Sequence, residues 1–370
     1  MRTLVVSGIN LVDGGALSVF YDFLDVLIEC EYYKEYKVIA MVSSKKLFEK
    51  YNDYIELIEF PKSKKSWIYR LYYEYIFFKK FSNKRNIDIW ISLHDITPNV
   101  KAKKRYVYCH NPSPFNHMKL TEIKYGLKYY LFSKFYKYLY RINIKKNTAV
   151  IVQQEWLRNE FKNFFKINNI IVARPSISNL RKIEKKIDNG QKVTFIYPSY
   201  PRYYKNFEVL CKAVEYINDR NIKNFEVILT VDGSENKYSN DLIKKYKNVS
   251  NINFMGLLSR ERLYSIYSDA DCLIFMSKLE TWGMPIIEFM ETQRTMLISD
   301  LPYAYETVGN YNDVSFINVD DYQLLAKEMI NIIQKKHVQK KNIAMPITQP
   351  YAKNWNELLK MLLKIEDNLD

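Results

Sequence analysis

The N-terminal stretch RTLVVSGINLVDGGALSVFYDFLDVLIE, residues 2–29, contains the pattern that decides the fold class. It opens with a short apolar run that ends in glycine, as a buried β-strand does. Apolar residues then recur at helical spacing, at Leu17, Phe20, Leu24, Leu27 and Ile28. The stretch therefore predicts a strand, a glycine-rich loop and a helix.

The alternation of strand and helix continues along the chain. In the first half, further strands are predicted at 37–42, 87–92, 105–109 and 148–152. In the second half, strands are predicted at 193–199, 225–233, 252–256, 271–277 and 295–300, and helices at 207–220, 259–268 and 285–293. Such alternation predicts α/β folding around parallel sheets.

The length of the chain predicts two domains. Its 370 residues exceed the roughly 250–300 residues at which a single core stops growing. We expect two Rossmann-like α/β domains that face each other across a cleft, with boundaries at 1–180 and 191–345, a linker at 181–190 and a C-terminal helix in 346–370. Ligands of such sheets bind beyond the carboxyl ends of the strands.

Composition favours a protein of the reducing cytosol that is soluble or peripheral to a membrane. The four cysteines lie far apart, without zinc-site spacing or the density of a disulfide scaffold. The N-terminus turns polar at Asn10 and Asp13, too early for a signal peptide. No run approaches the roughly 18 apolar residues of a membrane-spanning helix.

The formal charge of +15 is concentrated in the first half of the chain. Residues 1–188 hold 34 Lys and Arg against 18 Asp and Glu, a surplus of 16. Two segments, 61–85 and 124–146, carry eight basic residues with one acid and seven basic residues with none. Both segments interleave the basic residues with tyrosine and phenylalanine.

These two segments allow three interpretations. Basic and aromatic residues at helical spacing are typical of a helix at an anionic membrane surface. The same pattern also fits helices with a buried aromatic stripe and a solvated basic face. Nucleic acid ranks last, because no nucleic-acid-binding motif accompanies the charge.

The segment KLETWGMPIIEFME, residues 278–291, places Glu280 and Glu288 on either side of a predicted helix start. It follows a predicted strand, and Pro285 is expected at the first helical position. Free backbone amides at such a start suit a diphosphate. The two carboxylates suit neutral hydroxyls such as sugars offer, so the segment predicts a sugar-nucleotide site. An ordinary charge near a helix end is the alternative.

Residues 251–309, which contain this segment, resemble the family-four, or group 1, retaining glycosyltransferases of the GT-B fold. The family's Glu-x7-Glu motif appears here as Glu280 and Glu288, and a later strand ends in Ser-Asp. The chain is similar to bacterial glycosyltransferases of O-antigen and capsule synthesis. The Gly-Gly, histidine and RYYKN loops follow the family's order over most of the chain. The resemblance also implies that the C-terminal helix, with Trp355, Leu358, Leu359 and Leu362 on one face, packs back on the first domain; a simple amphipathic end helix is the alternative.

The resemblance implies a role for each matching residue of this segment. Glu288 would bind the ribose hydroxyls, and Glu280 would bind the transferred sugar near its anomeric carbon. The amides of Trp282, Gly283 and Met284 would help to hold the donor sugar and its diphosphate.

The resemblance also implies which groups neutralise the leaving diphosphate, and these groups lie in the RYYKN loop. Lys205 matches the family's lysine. The family's arginine, five positions earlier, is replaced by Tyr200, so Arg202 is expected to take over, because a guanidinium binds phosphate in bidentate fashion.

Two glycine-rich loops of the family also have counterparts in this chain. Gly14 and Gly15 match the family loop that approaches the donor phosphate, although a tight strand-to-helix turn requires the same glycines. In the second domain, Val231 replaces the first glycine of the family's Gly-x-Gly.

His110 follows a predicted strand, where family members carry a histidine that faces the sugar. A loop or core histidine is the alternative. Cys109, His110 and His117 lack an evident fourth ligand for a metal. We interpret the Asp-x-Asp of SDADC, residues 268–272, as a helix end before a buried strand.

Together these features predict a metal-independent enzyme without a cofactor, whose co-substrate is a nucleoside-diphosphate sugar and whose acceptor is a saccharide, linked to a polyprenyl diphosphate. The predicted location is the inner face of the cell membrane, with an anionic surface as partner and no nucleic acid. A GT-B epimerase of UDP-sugars and a non-catalytic basic binding protein remain as alternatives.

Overall fold

The computed structural model describes residues 1–115, 120–174, 183, 192–339 and 341–363. The chain forms two compact units. The first comprises Met1–Phe115, Leu131–Ile177 and Ile347–Asp370, and the second comprises Asn116–Tyr130 and Ser178–Pro346. The predicted linker lies outside the described residues except for Ile183. The domain boundaries drawn from the sequence therefore stay a prediction.

The strands are short, and most are apolar and buried. In chain order they are β1 (Arg2–Ser7), β2 (Tyr36–Val42), β3 (Glu56–Glu59), β4 (Ile89–Ser92), β5 (Lys104–Cys109), β6 (Ala149–Val152), β7 (Ile170–Ala173), β8 (Val193–Tyr197), β9 (Phe225–Leu229), β10 (Ile252–Phe254), β11 (Cys272–Phe275), β12 (Thr295–Ser299), β13 (Val314–Ile317) and β14 (Tyr351–Ala352).

Helices separate most of these strands. In chain order they are α1 (Gly14–Glu29), α2 (Tyr32–Glu35), α3 (Trp67–Tyr72), α4 (Phe78–Asn83), α5 (Leu127–Arg141), α6 (Glu155–Phe165), α7 (Phe207–Asn218), α8 (Lys237–Tyr246), α9 (Arg260–Asp269), α10 (Met284–Met290), α11 (Pro302–Val308), α12 (Tyr322–Ile333) and α13 (Trp355–Leu363). A π-helical turn, Tyr73–Phe77, joins α3 to α4.

Each unit is built on one parallel sheet. The strand order is β14-β7-β6-β5-β4-β1-β2-β3 in the first unit and β10-β9-β8-β11-β12-β13 in the second. In the first sheet, Val5 lies between Ile39 of β2 and Trp90 of β4. The predicted fold class, two Rossmann-like α/β units, is confirmed.

Alternating residues of β1 serve opposite faces of the first sheet. Leu4 packs in a cluster with Phe20 of α1, whereas Val5 packs in a cluster with Phe78 of α4. A strand covered by helices on both faces needs apolar residues at every position, which explains the unbroken apolar run in the sequence.

The last helix of the described chain lies in the core of the first unit. Trp355, Leu358, Leu359 and Leu362 of α13 are all buried there. The rings of Trp355 and Phe23 meet edge to face at 5.5 Å. The hydroxyl of Tyr36 donates to the carbonyl of Leu363 over 3.1 Å. These contacts join the end of the described chain to α1 and β2.

Because the strands of each sheet are parallel, their carboxyl ends lie at one edge of that sheet. Cys109 ends β5 at this edge of the first sheet, and Tyr197 and Phe275 end β8 and β11 at this edge of the second. The loops that follow them carry the predicted site residues. Among the described helices, none combines the length and the apolar character that crossing a bilayer requires.

Candidate active site

Lys205 and Glu280 meet at the carboxyl edge of the second sheet. Lys205 ends a short helical turn, Tyr203–Lys205, in the loop after β8, and Glu280 lies in the loop after β11. The Lys205 ammonium donates to Glu280 Oε1, and each side chain is 14% exposed. The structure therefore places a cation and a carboxylate, both predicted from the sequence, in direct contact.

Backbone hydrogen bonds hold the two loops together. The amide of Lys278 donates to the carbonyl of Tyr204 over 2.7 Å, and the hydroxyl of Tyr197 donates to the carbonyl of Lys205. Asn206 adopts a left-handed conformation with φ of +57°, and its side-chain amide donates to the carbonyl of Val319 over 2.6 Å. The position of Lys205 is thus fixed by the surrounding protein.

Gly283 allows the sharp turn that leads into α10. Its φ is +69°, in the region that favours glycine, and a Cβ atom there would lie 3.1 Å from Cδ1 of Ile286. The helix begins at Met284, so Pro285 is the second helical residue, and the predicted first position was wrong by one residue. The carbonyl of the buried Trp282 accepts a hydrogen bond of 2.6 Å from the Thr307 hydroxyl, which ties this turn to α11.

Glu288 lies one turn inside α10, in surroundings unlike those of Glu280. Tyr267 donates its hydroxyl to Glu288 Oε2 over 3.4 Å, and Arg260 Nη2 lies 3.9 Å from Glu288 Oε1. Burial raises the pKa of Glu288 above its ordinary value, against the opposing effect of Arg260 and the tyrosine hydroxyls. The two glutamates of the motif therefore have different partners, Lys205 for Glu280 and Tyr267 and Arg260 for Glu288.

Arg202 has aromatic neighbours in the same loop. Its guanidinium carbon lies 5.7 Å from the ring centre of Tyr200. Burial raises the pKa of Tyr204, and the positive charge of Arg202 opposes that rise. Arg202 and Lys205 share one short loop, in which the Lys205 amide donates to the Arg202 carbonyl over 2.8 Å.

Gly14 and Gly15 open α1 at the carboxyl edge of the first sheet. Gly14 has φ of +63°, so the backbone requires glycine there. At Gly15 the backbone makes no such demand, and a Cβ atom would meet no described heavy atom within 4 Å. Packing within the described protein therefore gives no reason for glycine at position 15.

His110 follows β5 in the first unit, as the sequence predicts. Its Nε2 lies 3.9 Å from Asp95 Oδ2, and its side chain is 18% exposed. Its Nδ1 is buried and has no hydrogen-bond partner within the described residues. Asp95, which the sequence reasoning did not single out, accepts hydrogen bonds from the backbone amides of His110 and Asn111 at 2.9 and 3.1 Å.

The Asp-x-Asp segment is part of the framework. Asp269 ends α9, and Asp271 precedes β11 and accepts a hydrogen bond of 2.8 Å from the Thr194 amide. This agrees with the predicted helix end before a buried strand. His117 lies outside the described residues. In the part of the chain that the structure describes, no three His, Cys, Asp or Glu side chains cluster as metal ligands do.

The second half of the chain matches a known family. Residues 179–345 match the family described as "Glycosyl transferases group 1". The second unit is therefore a group 1 glycosyltransferase domain, the predicted resemblance is confirmed, and the protein is a glycosyltransferase. Among curated proteins, none matches the chain by sequence.

Solved structures confirm the GT-B fold over nearly the whole chain. Sucrose-phosphate synthase from Thermosynechococcus elongatus has a TM-score of 0.62 at 12% identity, over 91% of this chain and 90% of that chain. The lipopolysaccharide outer core galactosyltransferase WaaB has a TM-score of 0.62 at 12% identity, over 91% of each chain. Anabaena HepE has a TM-score of 0.55 at 13% identity, over 91% of this chain and 92% of that chain. At these identities the likeness shows the fold alone.

Proposed function

We propose that the protein is a retaining glycosyltransferase that moves a sugar from a nucleoside-diphosphate sugar to a saccharide acceptor. The observation that carries the proposal is the ion pair of Lys205 and Glu280, with Glu288 eight residues after Glu280 and one turn inside α10. A cation suits a leaving diphosphate, and the two carboxylates suit the hydroxyls of a sugar and a ribose.

The proposed reaction breaks the bond between the anomeric carbon and the β-phosphate oxygen, and the electron pair stays on that oxygen. Negative charge therefore grows on the diphosphate while positive charge grows on the sugar. Lys205, Arg202 and the amides of residues 282–284 stabilise the first, and the Glu280 carboxylate stabilises the second.

The acceptor hydroxyl attacks from the side of the leaving group. Its oxygen bonds to the anomeric carbon, and its proton passes to the departing phosphate oxygen, so the anomeric configuration is retained and the charges balance. No carboxylate needs to form a covalent bond to the sugar. The absence of a covalent role for Glu280 agrees with its ion pair with Lys205.

The donor class has support beyond the site itself. The HepE structure, which shares the fold, contains UDP-glucose. We infer a nucleoside-diphosphate sugar for this chain as well. We also infer that no divalent metal is required, because Lys205 and Arg202 supply positive charge where the diphosphate leaves.

A surface of the first unit suits an anionic membrane. The aromatic and aliphatic side chains of α3 and the following turn are exposed at Trp67, Ile68, Tyr69, Tyr72 and Ile76, and those of α5 at Leu131, Phe135 and Tyr138. The two segments are adjacent, because the Trp67 ring lies 6.2 Å from Phe132 and 5.9 Å from Tyr136. We call these exposed residues the aromatic surface.

Basic residues accompany the aromatic surface. Lys134 and Lys137 lie on α5. Glu74, the one acid of segment 61–85, is fully buried, and burial raises its pKa to about 8. The outward side therefore presents apolar rings together with lysines, as proteins at anionic membranes do.

From this surface we infer a peripheral enzyme at the inner face of the cell membrane with a polyprenyl-diphosphate-linked acceptor. WaaB, which has the same fold, is a lipopolysaccharide outer core galactosyltransferase. This supports a role in bacterial surface polysaccharide synthesis, such as that of O-antigen or capsule.

The test is transfer from a panel of nucleoside-diphosphate sugars to polyprenyl-diphosphate-linked saccharides, with the product linkage assigned by NMR. We expect nucleotide release that depends on the acceptor and a product with the donor's anomeric configuration. An inverted linkage would contradict the retaining mechanism. Nucleotide release without acceptor, accompanied by an epimerised sugar, would favour an epimerase instead.

A further inference from the structure

Asp95 lies in a strained backbone conformation three residues after the end of β4. Its φ of +77° is in the left-handed region, which a residue with a side chain adopts only at a cost in free energy. Its amide donates to the Tyr108 carbonyl over 3.1 Å, and its carbonyl accepts from the Cys109 thiol over 3.4 Å. Strained residues of this kind persist where the surrounding structure holds them for a purpose.

The carboxylate of Asp95 organises the loop that carries His110. Oδ1 accepts hydrogen bonds from the backbone amides of His110 and Asn111. The Tyr140 hydroxyl of α5 donates to the Asn111 carbonyl over 3.1 Å and so holds the same loop. The buried carboxylate of Asp95 therefore fixes the backbone that carries the His110 imidazole.

The same carboxylate faces the imidazole ring. Oδ2 lies 3.9 Å from Nε2 of His110. Hydrogen bonds of catalytic groups are often long without substrate and tighten when substrate binds. On the other side of the ring, Nδ1 is buried without a partner in the described protein, an arrangement that is unfavourable unless a ligand or water satisfies it.

We propose that Asp95 is a positioning residue for His110, which holds the ring proton on Nε2 and so leaves the Nδ1 lone pair to accept a hydrogen bond from a hydroxyl of the bound sugar. The ligand part of this inference rests on the proposed function. An ionised carboxylate only accepts hydrogen bonds, so the ring nitrogen that faces it must carry the proton. A neutral imidazole then has its lone pair on the opposite nitrogen.

The direct test is the tautomer of His110 in the folded enzyme. Proton–nitrogen correlation spectra of the uniformly labelled protein report which ring nitrogen is protonated, and the loss of one signal in His110→Gln identifies His110 among the four histidines. At neutral pH we expect a protonated Nε2 and an unprotonated Nδ1. A protonated Nδ1 in the wild-type protein would overturn the proposal without any appeal to activity.

The Asp95→Asn variant tests whether Asp95 sets the tautomer of His110. The amide oxygen can still accept the two backbone hydrogen bonds, while the NH2 group now donates toward the ring and favours the opposite tautomer. We expect the tautomer to reverse and kcat to fall about ten- to hundredfold, with the KM for the donor changed by less than about threefold. An unchanged tautomer and unchanged kcat in a folded variant would overturn the proposal.

The matched control is Asp88→Asn, at the opposite end of β4. Asp88 accepts the Thr3 amide over 2.8 Å and pairs with Lys103, far along the strand from His110. We expect this variant to keep both the tautomer and kcat. The two parts of the proposal can fail separately. If the wild type has the expected tautomer but His110→Gln keeps full activity, the contact between His110 and the sugar is contradicted. The positioning of His110 by Asp95 would still stand.

Discussion

Lys205 and Glu280 form an ion pair across 75 positions of sequence at the carboxyl edge of the second sheet. Both side chains are largely shielded from water, so the pair is stronger than an exposed one. The amide of Lys278 links the two loops and keeps the pair in place. A diphosphate that approached Lys205 would compete with Glu280 for the ammonium, so donor binding and the state of this pair are coupled.

Removal of the Lys205 ammonium should slow sugar transfer. For Lys205→Ala we expect a fall in kcat of roughly 10²–10³-fold, the magnitude seen when one preorganised group that stabilises developing negative charge is removed. Initial rates at saturating donor measure this effect. The control is Lys278→Ala, which removes a lysine that pairs with Asp320 over 3.3 Å. Equal kcat values for the two variants would contradict the role of Lys205.

Glu288 should make the stability of the protein depend on pH. Because burial raises its pKa above the ordinary 4.5, the folded state binds this proton more tightly than the unfolded state. The stabilising effect is complete below pH 4.5 and is lost as pH rises through the raised pKa. Glu288→Gln should therefore have a higher Tm than the wild type at neutral pH, with the difference shrinking on acidification.

Thermal unfolding at several pH values measures this difference. The same variant should bind the donor nucleotide less tightly, because an amide replaces a charged acceptor for the ribose hydroxyls. A Tm difference that grows as pH falls would contradict the assignment of the raised pKa. Unchanged nucleotide affinity would contradict contact with the ribose.

Two glycines should separate a structural requirement from a functional one. Gly283→Ala should lower the free energy of unfolding by roughly 1–2 kcal/mol, because a side chain at φ of +69° is strained and close to Ile286. Gly15→Ala should leave stability unchanged or slightly higher, since its Cβ would meet no described atom. Denaturant unfolding measures both free energies.

Gly15→Ala should nevertheless weaken donor binding, since the added methyl group would stand where the family's loop approaches the phosphate. A calorimetric titration with the nucleotide gives the affinity. Wild-type affinity in this variant would leave Gly15 as part of a tight turn, without a contact to the donor.

The aromatic surface should mediate membrane binding. In Lys134→Glu/Lys137→Glu the affinity for phosphatidylserine-containing vesicles at low salt should fall at least tenfold, because each basic residue near such a surface contributes about 1 kcal/mol. Co-sedimentation measures the bound fraction. The control, Lys244→Glu/Lys247→Glu, makes the same charge change on exposed residues at the end of α8 in the second unit. Equal loss in both variants, or no binding by the wild type, would contradict the proposal.

The sequence predicts most inner strands of both sheets, because strands buried on both faces are continuous apolar runs. It does not identify β3, β7, β13 or the two-residue β14. Of these, β3, β13 and β14 lie at sheet edges, where pairing with one neighbour, rather than a long apolar run, creates the strand. The fourth, β7, is a short inner strand of sequence IIVA between β14 and β6 that was not predicted. The predicted position of Pro285 in the helix was wrong by one residue. The helix begins earlier, at Met284, directly after Gly283 with its positive φ.

The residues of the candidate site could be proposed from the sequence, but their contacts could not. Glu280, Glu288 and Lys205 follow from their spacing and the family resemblance. Their partners, such as Tyr267 beside Glu288, depend on how helices and loops pack, which spacing does not encode. Asp95 left one usable signal in the sequence, a polar residue three positions after the apolar strand IWIS.

The measurement that tests the central claim most directly is thermal stabilisation of the wild-type protein by UDP, GDP, ADP and CMP, each with and without EDTA. A ligand that binds only the folded state stabilises it by about 2.7 kcal/mol at 100 times its dissociation constant. We predict a clear rise in Tm with one nucleoside diphosphate that EDTA does not abolish and that is smaller in Glu288→Gln. No shift with any of the four nucleotides would contradict a nucleotide-sugar site at Lys205, Glu280 and Glu288.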